Sequence, residues 1–434
     1  MRLNLVAIYS LNQTIHWFAV GLFFPIMILF LLDKGLDNLQ VGTAVAMFSV
    51  ALICLELPTG GLSDSIGRKR VYLMSVCVLF VSYAWVILSW DYVTLLLGIF
   101  GMGVARALSS GTIDAWFVDE FKRTQPKGDL QKALARANTF IPLGLAFGSL
   151  MGGVLPMTLG GTLEEMFGVS VYTANILVIM AVLVIQFILT SMLVIEVVNL
   201  AHTATVLSGL KSFPIVISSA LTYGVKNRII LALMMASLAL GFGLTSVEIF
   251  WQPQLRDILG DAEASWIFGV MAAGYFFAAS VGNILITPLC KRLGQSYTAI
   301  LLGLRLTMGA ALVGFAFQGT VPGFAVFFMF ILLVNGMSNS PHMTIFNSQV
   351  PSERRSTLMS FESFIVQIGG GVGSAFFGYV AETSSIRAVW IIAGGIMLTS
   401  SLSYLVLLSP KYRAKIKADV AASPSASCAK DGAA

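Results

Sequence analysis

Charge is the scarcest property of this chain. Only 11% of its 434 residues are Asp, Glu, Lys or Arg, while 57% are hydrophobic. A soluble globular domain carries about 25% charged residues, so the composition excludes one. Cysteine is also sparse. Cys54, Cys77, Cys290 and Cys428 are scattered without metal-ligand or redox spacing, and no disulfide framework is implied. The three histidines are equally dispersed. No metal and no cofactor are expected. The chain lacks a nucleophile–base pair, a phosphate-binding glycine loop before a basic residue, and a nucleotide domain. Neither enzymatic catalysis nor direct drive by ATP is therefore expected. No cleaved signal peptide is read, because the first apolar run is too long and more runs follow it.

What fills the chain instead is a series of long apolar runs. Runs of about 17 or more residues fall near 4–32, 39–60, 70–90, 92–118, 134–159 and 169–197. A second set falls near 228–254, 264–289, 297–318, 321–348, 357–381 and 387–409. We number them spans 1 to 12. They are far longer than the ~9–11 residues of a membrane barrel strand. Backbone groups in lipid must bond within their own segment, so the spans are helices. The predicted fold class is an all-α membrane protein with twelve transmembrane helices in two pseudo-symmetric six-helix bundles.

Basic residues give the orientation. With both termini on one face, that face collects Arg68, Lys69 and Arg70, Lys122 and Arg123, Lys291 and Arg292, and the basic tail. The opposite face has Lys34, Arg256 and Arg387. This asymmetry predicts cytoplasmic termini in a cell (plasma) membrane. The net charge of +5 then reports topology, not nucleic-acid binding.

Between spans 2 and 3 stands Gly60-Gly61-Leu62-Ser63-Asp64-Ser65-Ile66-Gly67-Arg68-Lys69-Arg70, read as a short, tight, basic loop. Its pattern, Gly-x-Leu-Ser-Asp-x-x-Gly-Arg-Lys, resembles the loop between helices 2 and 3 of the major facilitator superfamily of secondary transporters. Ser65 departs from the Arg or Lys usual there. The resemblance extends over residues 4–409.

The chain also repeats itself. Pro25 and Gly67 recur as Pro253 and Gly294, and Gly144-x-x-x-Gly148-Ser149 recurs as Gly369-x-x-x-Gly373-Ser374. The offsets agree within about three residues, which predicts two halves, 1–197 and 228–409. Parallel repeats of this kind imply a central site and access that alternates by rocking. Residues 198–227 read as an interfacial helix on the cytoplasmic surface. The tail 410–434 reads as disordered.

Specific roles follow from the resemblance. Gly60 and Gly67 permit a tight turn, and Asp64 is expected to lock a cytoplasmic gate against the start of span 11 near Ser356–Ser360. Arg68, beside Lys69, is expected to pair with an acid at the end of span 4, where Asp119 and Glu120 stand. In span 5, Gly144, Gly148, Gly152 and Gly153 resemble the antiporter signature of drug-exporting members, with Ser149 in place of proline. The same small residues serve close helix packing, and both readings stay open.

Polar residues inside spans mark the substrate or proton pathway. Arg106 lies midway in span 4, with Ser110 and Asp114 expected one and two turns further along one face. Span 10 offers Asn335, Asn339 and His342; span 1 offers Asn12, Gln13 and His16. In the family these spans line the cavity, so the faces would converge, ringed by Trp17, Phe18 and Phe23. A few polar anchors among aromatics suit an amphipathic ligand. Candidate proton carriers are Asp114, Glu56, Glu248 and Glu362, with Asp114 favoured because Arg106 is near enough to exchange partners with it. The expected function is secondary active transport, as proton-coupled export of small amphipathic compounds by a monomer. The alternatives are an importer or facilitator of a polar metabolite, or a non-transporting sensor or lipid-handling protein. The expected partners are a small-molecule substrate, protons and the lipid bilayer.

Overall fold

The computed structural model describes residues 4–126, 128–196, 224, 226–260, 264–294, 296–350 and 355–422, and every regular element among them is helical. Among the described residues eleven helices are long and apolar enough to cross a membrane. A twelfth span arises if Leu5–Phe23 and Met27–Asp33, bent by 41° at their junction, are taken together. The interfacial segment expected at 198–227 lies almost wholly outside the described residues.

The helix breaks are informative. Span 1 breaks around Pro25, which has no N–H to give. Gln252, from span 7, inserts into the ladder there. Its side chain accepts from the Ile28 amide at 3.0 Å and donates to the Phe24 carbonyl at 2.6 Å. These are the two groups an unbroken helix would have joined to each other.

The segment 60–70 is not the loop the sequence reading expects. Helices run Asn38–Ile66 and Arg68–Leu88, and Gly67 alone makes the turn, at φ 102°. A residue with a Cβ rarely adopts that conformation, so one glycine carries the whole reversal. Span 4 is also corrected. It divides into Tyr92–Ser109 and Thr112–Thr124 at Gly111, whose φ is 65°. Arg106 and Asp114 therefore sit on different helical segments and share no continuous strip.

The expected disorder from residue 410 is a third correction. Pro410–Ala422 form a helix with Ile416 buried beside Phe346, Phe361 and Tyr404. Tyr412, Ile416 and Val420 recur every four residues, giving the helix one apolar stripe. Asp419 further ties it to span 10 by accepting from the Gln349 amide at 2.9 Å.

The chain divides into two compact units. One comprises Met1–Pro214 and Ile249–Phe276; the other comprises Ile215–Glu248 and Phe277–Ala434. In the first, span 5 lies against span 1 so closely that a Cβ at Gly144, Gly148 or Gly152 would collide with the carbonyls of Thr14, Phe18 and Leu22. In the second, Gly369 and Gly373 meet the carbonyls of Leu238 and Phe242 of span 7 in the same way. The repeated glycine pattern thus corresponds to a repeated helix contact. Small residues let membrane helices approach to where dispersion is strong, which replaces the hydrophobic drive that lipid does not supply.

Candidate transport site

Among the described residues each unit contains a polar cluster built around a carboxylate that is at least partly buried. In the first unit it forms around Asp114, in the first turn of Thr112–Thr124. Its Oδ1 accepts from the Tyr9 hydroxyl and from Gln13 Nε2, each at 2.5 Å. Tyr9 and Gln13 are one turn apart in span 1, so they present donors on one face. Phe117 stacks on the Tyr9 ring at 4.3 Å. The Arg106 guanidinium lies 5.7 Å from the Trp17 ring centre. Among the described residues no ion pair joins Arg106 to Asp114. His16 packs between Trp17 and Tyr72. Asn12 turns away from this group, donating to Thr190 of span 6 at 2.5 Å, while Gln186 donates to the Tyr72 hydroxyl at 2.6 Å. Asn12 thus serves the contact between spans 1 and 6, because it sits 100° around the helix from Gln13.

The junction of spans 2 and 3 is held by several groups. Arg68 pairs with Asp119. Glu120 instead binds Arg123, one turn on, at 2.5 Å. Glu196, at the end of span 6, accepts from the Arg68 and Lys69 amides at 2.8 and 2.9 Å. It supplies the cap that Gly67 has no side chain to give, and its charge suits a helix N-terminus. Lys69 Nζ donates to the Ser191 carbonyl at 2.7 Å, and Trp116 Nε1 to that of Ile195 at 3.0 Å. Gly60 and Asp64 lie outside the described side chains, as does most of the turn before span 11.

In the second unit the cluster joins five spans. His342 Nε2 and Glu362 Oε1 form a close pair between spans 10 and 11. Ser237 of span 7 donates to the same Glu362 oxygen at 2.9 Å. The Tyr404 hydroxyl of span 12 stands 3.5 Å from His342 Nδ1. Arg305 of span 9, only 5% exposed, donates to the Tyr404 hydroxyl at 3.4 Å and to the Ala236 carbonyl at 3.1 Å. Asn335 and Asn339 do not join this group: Asn335 Oδ1 is buried without a partner, and Asn339 is exposed.

Sequence reasoning passed over Tyr9, Glu196, Ser237, Arg305 and Tyr404. For Arg305 the signal was present, a single cation midway along span 9, equivalent to the one that drew attention to Arg106. Serine and tyrosine inside a span carry no such signal.

Among the described residues the regular structure is all helical, with eleven or twelve candidate membrane spans, which is the architecture of a multi-pass membrane protein. The sequence profile of the Major Facilitator Superfamily matches residues 9–264 and 233–429. The chain belongs to that family, and it is a multi-pass membrane transporter, not an enzyme. It is 22% identical over 407 residues to the uncharacterized MFS-type transporter YxaM of Bacillus subtilis (strain 168), covering 93% of this chain and 96% of that protein. It is also 22% identical over 386 residues to the uncharacterized MFS-type transporter MJ1560 of Methanocaldococcus jannaschii, covering 86% and 90%. Among solved structures, the nucleoside transporter NupG matches with a TM-score of 0.75 at 14% identity, covering 94% of this chain and 100% of that one. A bacterial homolog of the human lysosomal transporter Spinster, inward-facing and occupied, matches at 0.68 and 13%, covering 95% and 96%. At these identities the solved structures speak for the fold alone.

Proposed function

We propose that this transporter exports small amphipathic cations in exchange for protons, by alternating access, as a single chain in the plasma membrane with both termini cytoplasmic. The carrying observation is Asp114. It is a carboxylate within the membrane bundle whose hydrogen-bond partners, Tyr9 and Gln13, are neutral. The nearby arginine lies on an aromatic face instead. A carboxylate in a membrane-spanning bundle that is held by neutral donors offers a place for a cationic ligand or a transported proton. Occupancy by one excludes the other, which is the coupling an antiporter needs. Tyr9, Phe117, Trp17 and Tyr72 bring aromatic rings to the group around Asp114 and Arg106, the kind of surroundings that an amphipathic cation would require once the packed rings part.

The direction of transport is supported by the resemblance of Gly144–Gly153 to the antiporter signature. The test is ethidium binding to the purified protein. Wild type is expected to bind more weakly as pH falls, and Asp114→Asn to lose most of its affinity and this pH response. Wild-type-like, pH-dependent binding by Asp114→Asn would refute the assignment.

A second reading is import or facilitated passage of a polar metabolite. It is favoured by the density of hydrogen-bonding groups around Asp114 and His342. It predicts uptake of such a solute without competition from lipophilic cations.

A further inference from the structure

The C-terminal helix has no part in the exchange just described, yet it presents a distinct charged surface. Pro410–Ala422 carries four cations, Lys411, Arg413, Lys415 and Lys417, against one acid, Asp419. All four cations are exposed, and among the described residues none is joined to a carboxylate. Asp419 is the residue that accepts from Gln349. At about 100° per residue, Tyr412, Ile416 and Val420 form the docked stripe. Lys411 and Lys415 line one flank of that stripe, and Arg413 and Lys417 line the other. Each pair is one turn apart, ~6 Å between Cβ atoms, so the two cations of a flank can reach one phosphate group.

The helix is held at the bilayer surface. Span 12 ends at Leu407, and Pro410 opens the helix three residues on, at most ~11 Å away. The Arg413 amide donates to the Ser409 carbonyl at 2.9 Å, so helical bonding resumes without a linker. The headgroup zone is itself ~5–7 Å deep on each side of the hydrocarbon core. Nor does the helix then run off into water. From Tyr412 to Val420 it packs on a cluster that includes Ile229, Phe346 and Leu358, from the ends of spans 7, 10 and 11. Tyr412 is half-buried, with the Lys411 ammonium 5.9 Å from its ring centre, a placing that suits a tyrosine at headgroup level.

A basic segment that only sets topology needs charge and no fixed shape. Here the cations are fixed in two rows on a docked helix, next to the end of a span. A polyanion from solution would have to displace the lipid phosphates that this tether keeps within reach.

We propose that Pro410–Ala422 is a binding surface for anionic phospholipids of the leaflet on the C-terminal side. The pairs Lys411/Lys415 and Arg413/Lys417 hold headgroup phosphates, while Ile416 keeps the helix docked. Headgroups that bind the docked helix in preference to the free one stabilise the docking, and with it the packing of the span ends beneath. The surface is independent of substrate and of the coupling ion.

The first test is binding of tail-labelled phosphatidylglycerol to the full-length protein in dodecyl maltoside, read by fluorescence anisotropy. Each Lys or Arg near an anionic surface is worth about fivefold, so Lys411→Gln/Arg413→Gln/Lys415→Gln/Lys417→Gln should bind roughly a hundredfold more weakly than wild type. Lys122→Gln/Lys132→Gln/Arg136→Gln, which neutralises exposed cations of the first unit, should keep most of the binding. Wild-type affinity in the four-site variant, or an equal loss in the three-site control, overturns the proposal. Displacement of the lipid by glycerol phosphate at the same concentration also overturns it, because the soluble headgroup would then serve as well as the membrane-bound one.

The second test is hydrogen exchange of the full-length protein in nanodiscs. In wild type the amides of 411–422 should exchange about tenfold more slowly in phosphatidylcholine with about 30% phosphatidylglycerol than in phosphatidylcholine alone. The four-site variant should show no such difference, with unchanged exchange in spans 10 and 11 reporting that it is folded. Equal exchange of wild type in the two lipids overturns the proposal.

Discussion

Replacing Gly148 by alanine tests the closest helix contact in the first unit. A Cβ there would collide with the Phe18 carbonyl and stand 3.0 Å from Gly21 Cα. Both obstacles are backbone, so no side-chain rotation relieves them; span 1 itself must move. That displacement would loosen its contacts with Gly144 and Gly152 on either side. Overpacking of this kind costs about 1–3 kcal/mol, and the rigid neighbours argue for the upper part of that range. Gly161→Ala is the control, because a Cβ there meets nothing within 4 Å; it should stay within about 0.5 kcal/mol of wild type. The assay is unfolding of the purified protein by SDS titration from mixed micelles, followed by tryptophan fluorescence. Gly373→Ala, the counterpart in the second unit against the Phe242 carbonyl, should behave like Gly148→Ala. If Gly148→Ala unfolds at the same SDS fraction as Gly161→Ala, the close-packing argument is wrong.

Other sites give equally direct expectations. Glu196→Gln removes the charge at the N-terminus of span 3 and turns an NH2 group towards one of the two amides; a loss of about 1–2 kcal/mol is expected in the same titration, and no loss would deny Glu196 the capping role. Gln252→Leu leaves the Ile28 amide and Phe24 carbonyl without the side chain that joins them. A cost of about 1–3 kcal/mol follows, together with faster hydrogen exchange at the Ile28 amide; unchanged exchange would contradict the inserted-amide geometry. Ile416→Asp buries a carboxylate among Phe346, Phe361 and Tyr404 and should undock the C-terminal helix. Trypsin should then cut at Lys415 and Lys417 sooner than in wild type, and equal rates would refute the docking.

The spans were readable because each is a long apolar run, and length alone distinguishes a crossing helix from a strand. Their internal breaks were less so. Gly111 sits within continuous hydropathy, and glycine is ordinary in membrane helices, so nothing in the sequence separated Arg106 from Asp114. The Gly67 turn was visible as a motif, but its economy, one residue and not a loop, depends on a backbone angle. The clusters themselves were largely hidden. Asp114 was readable as an intramembrane acid, whereas its donors lie about a hundred residues earlier, on span 1. His342 and Glu362 were each noticed, but their pairing arises only when spans 10 and 11 pack. The helix at Pro410–Ala422 was masked by basic and small residues, although its apolar stripe was present.

The central claim is proton-for-cation exchange dependent on Asp114. It is tested most directly in acid-loaded, inside-out vesicles carrying the protein and a lumenal pH indicator, on addition of ethidium. The account predicts collapse of the proton gradient with wild type and no collapse with Asp114→Asn at matched expression. If no lipophilic cation collapses the gradient while the vesicles accumulate or exchange a polar metabolite, the claim is contradicted and the metabolite reading takes its place.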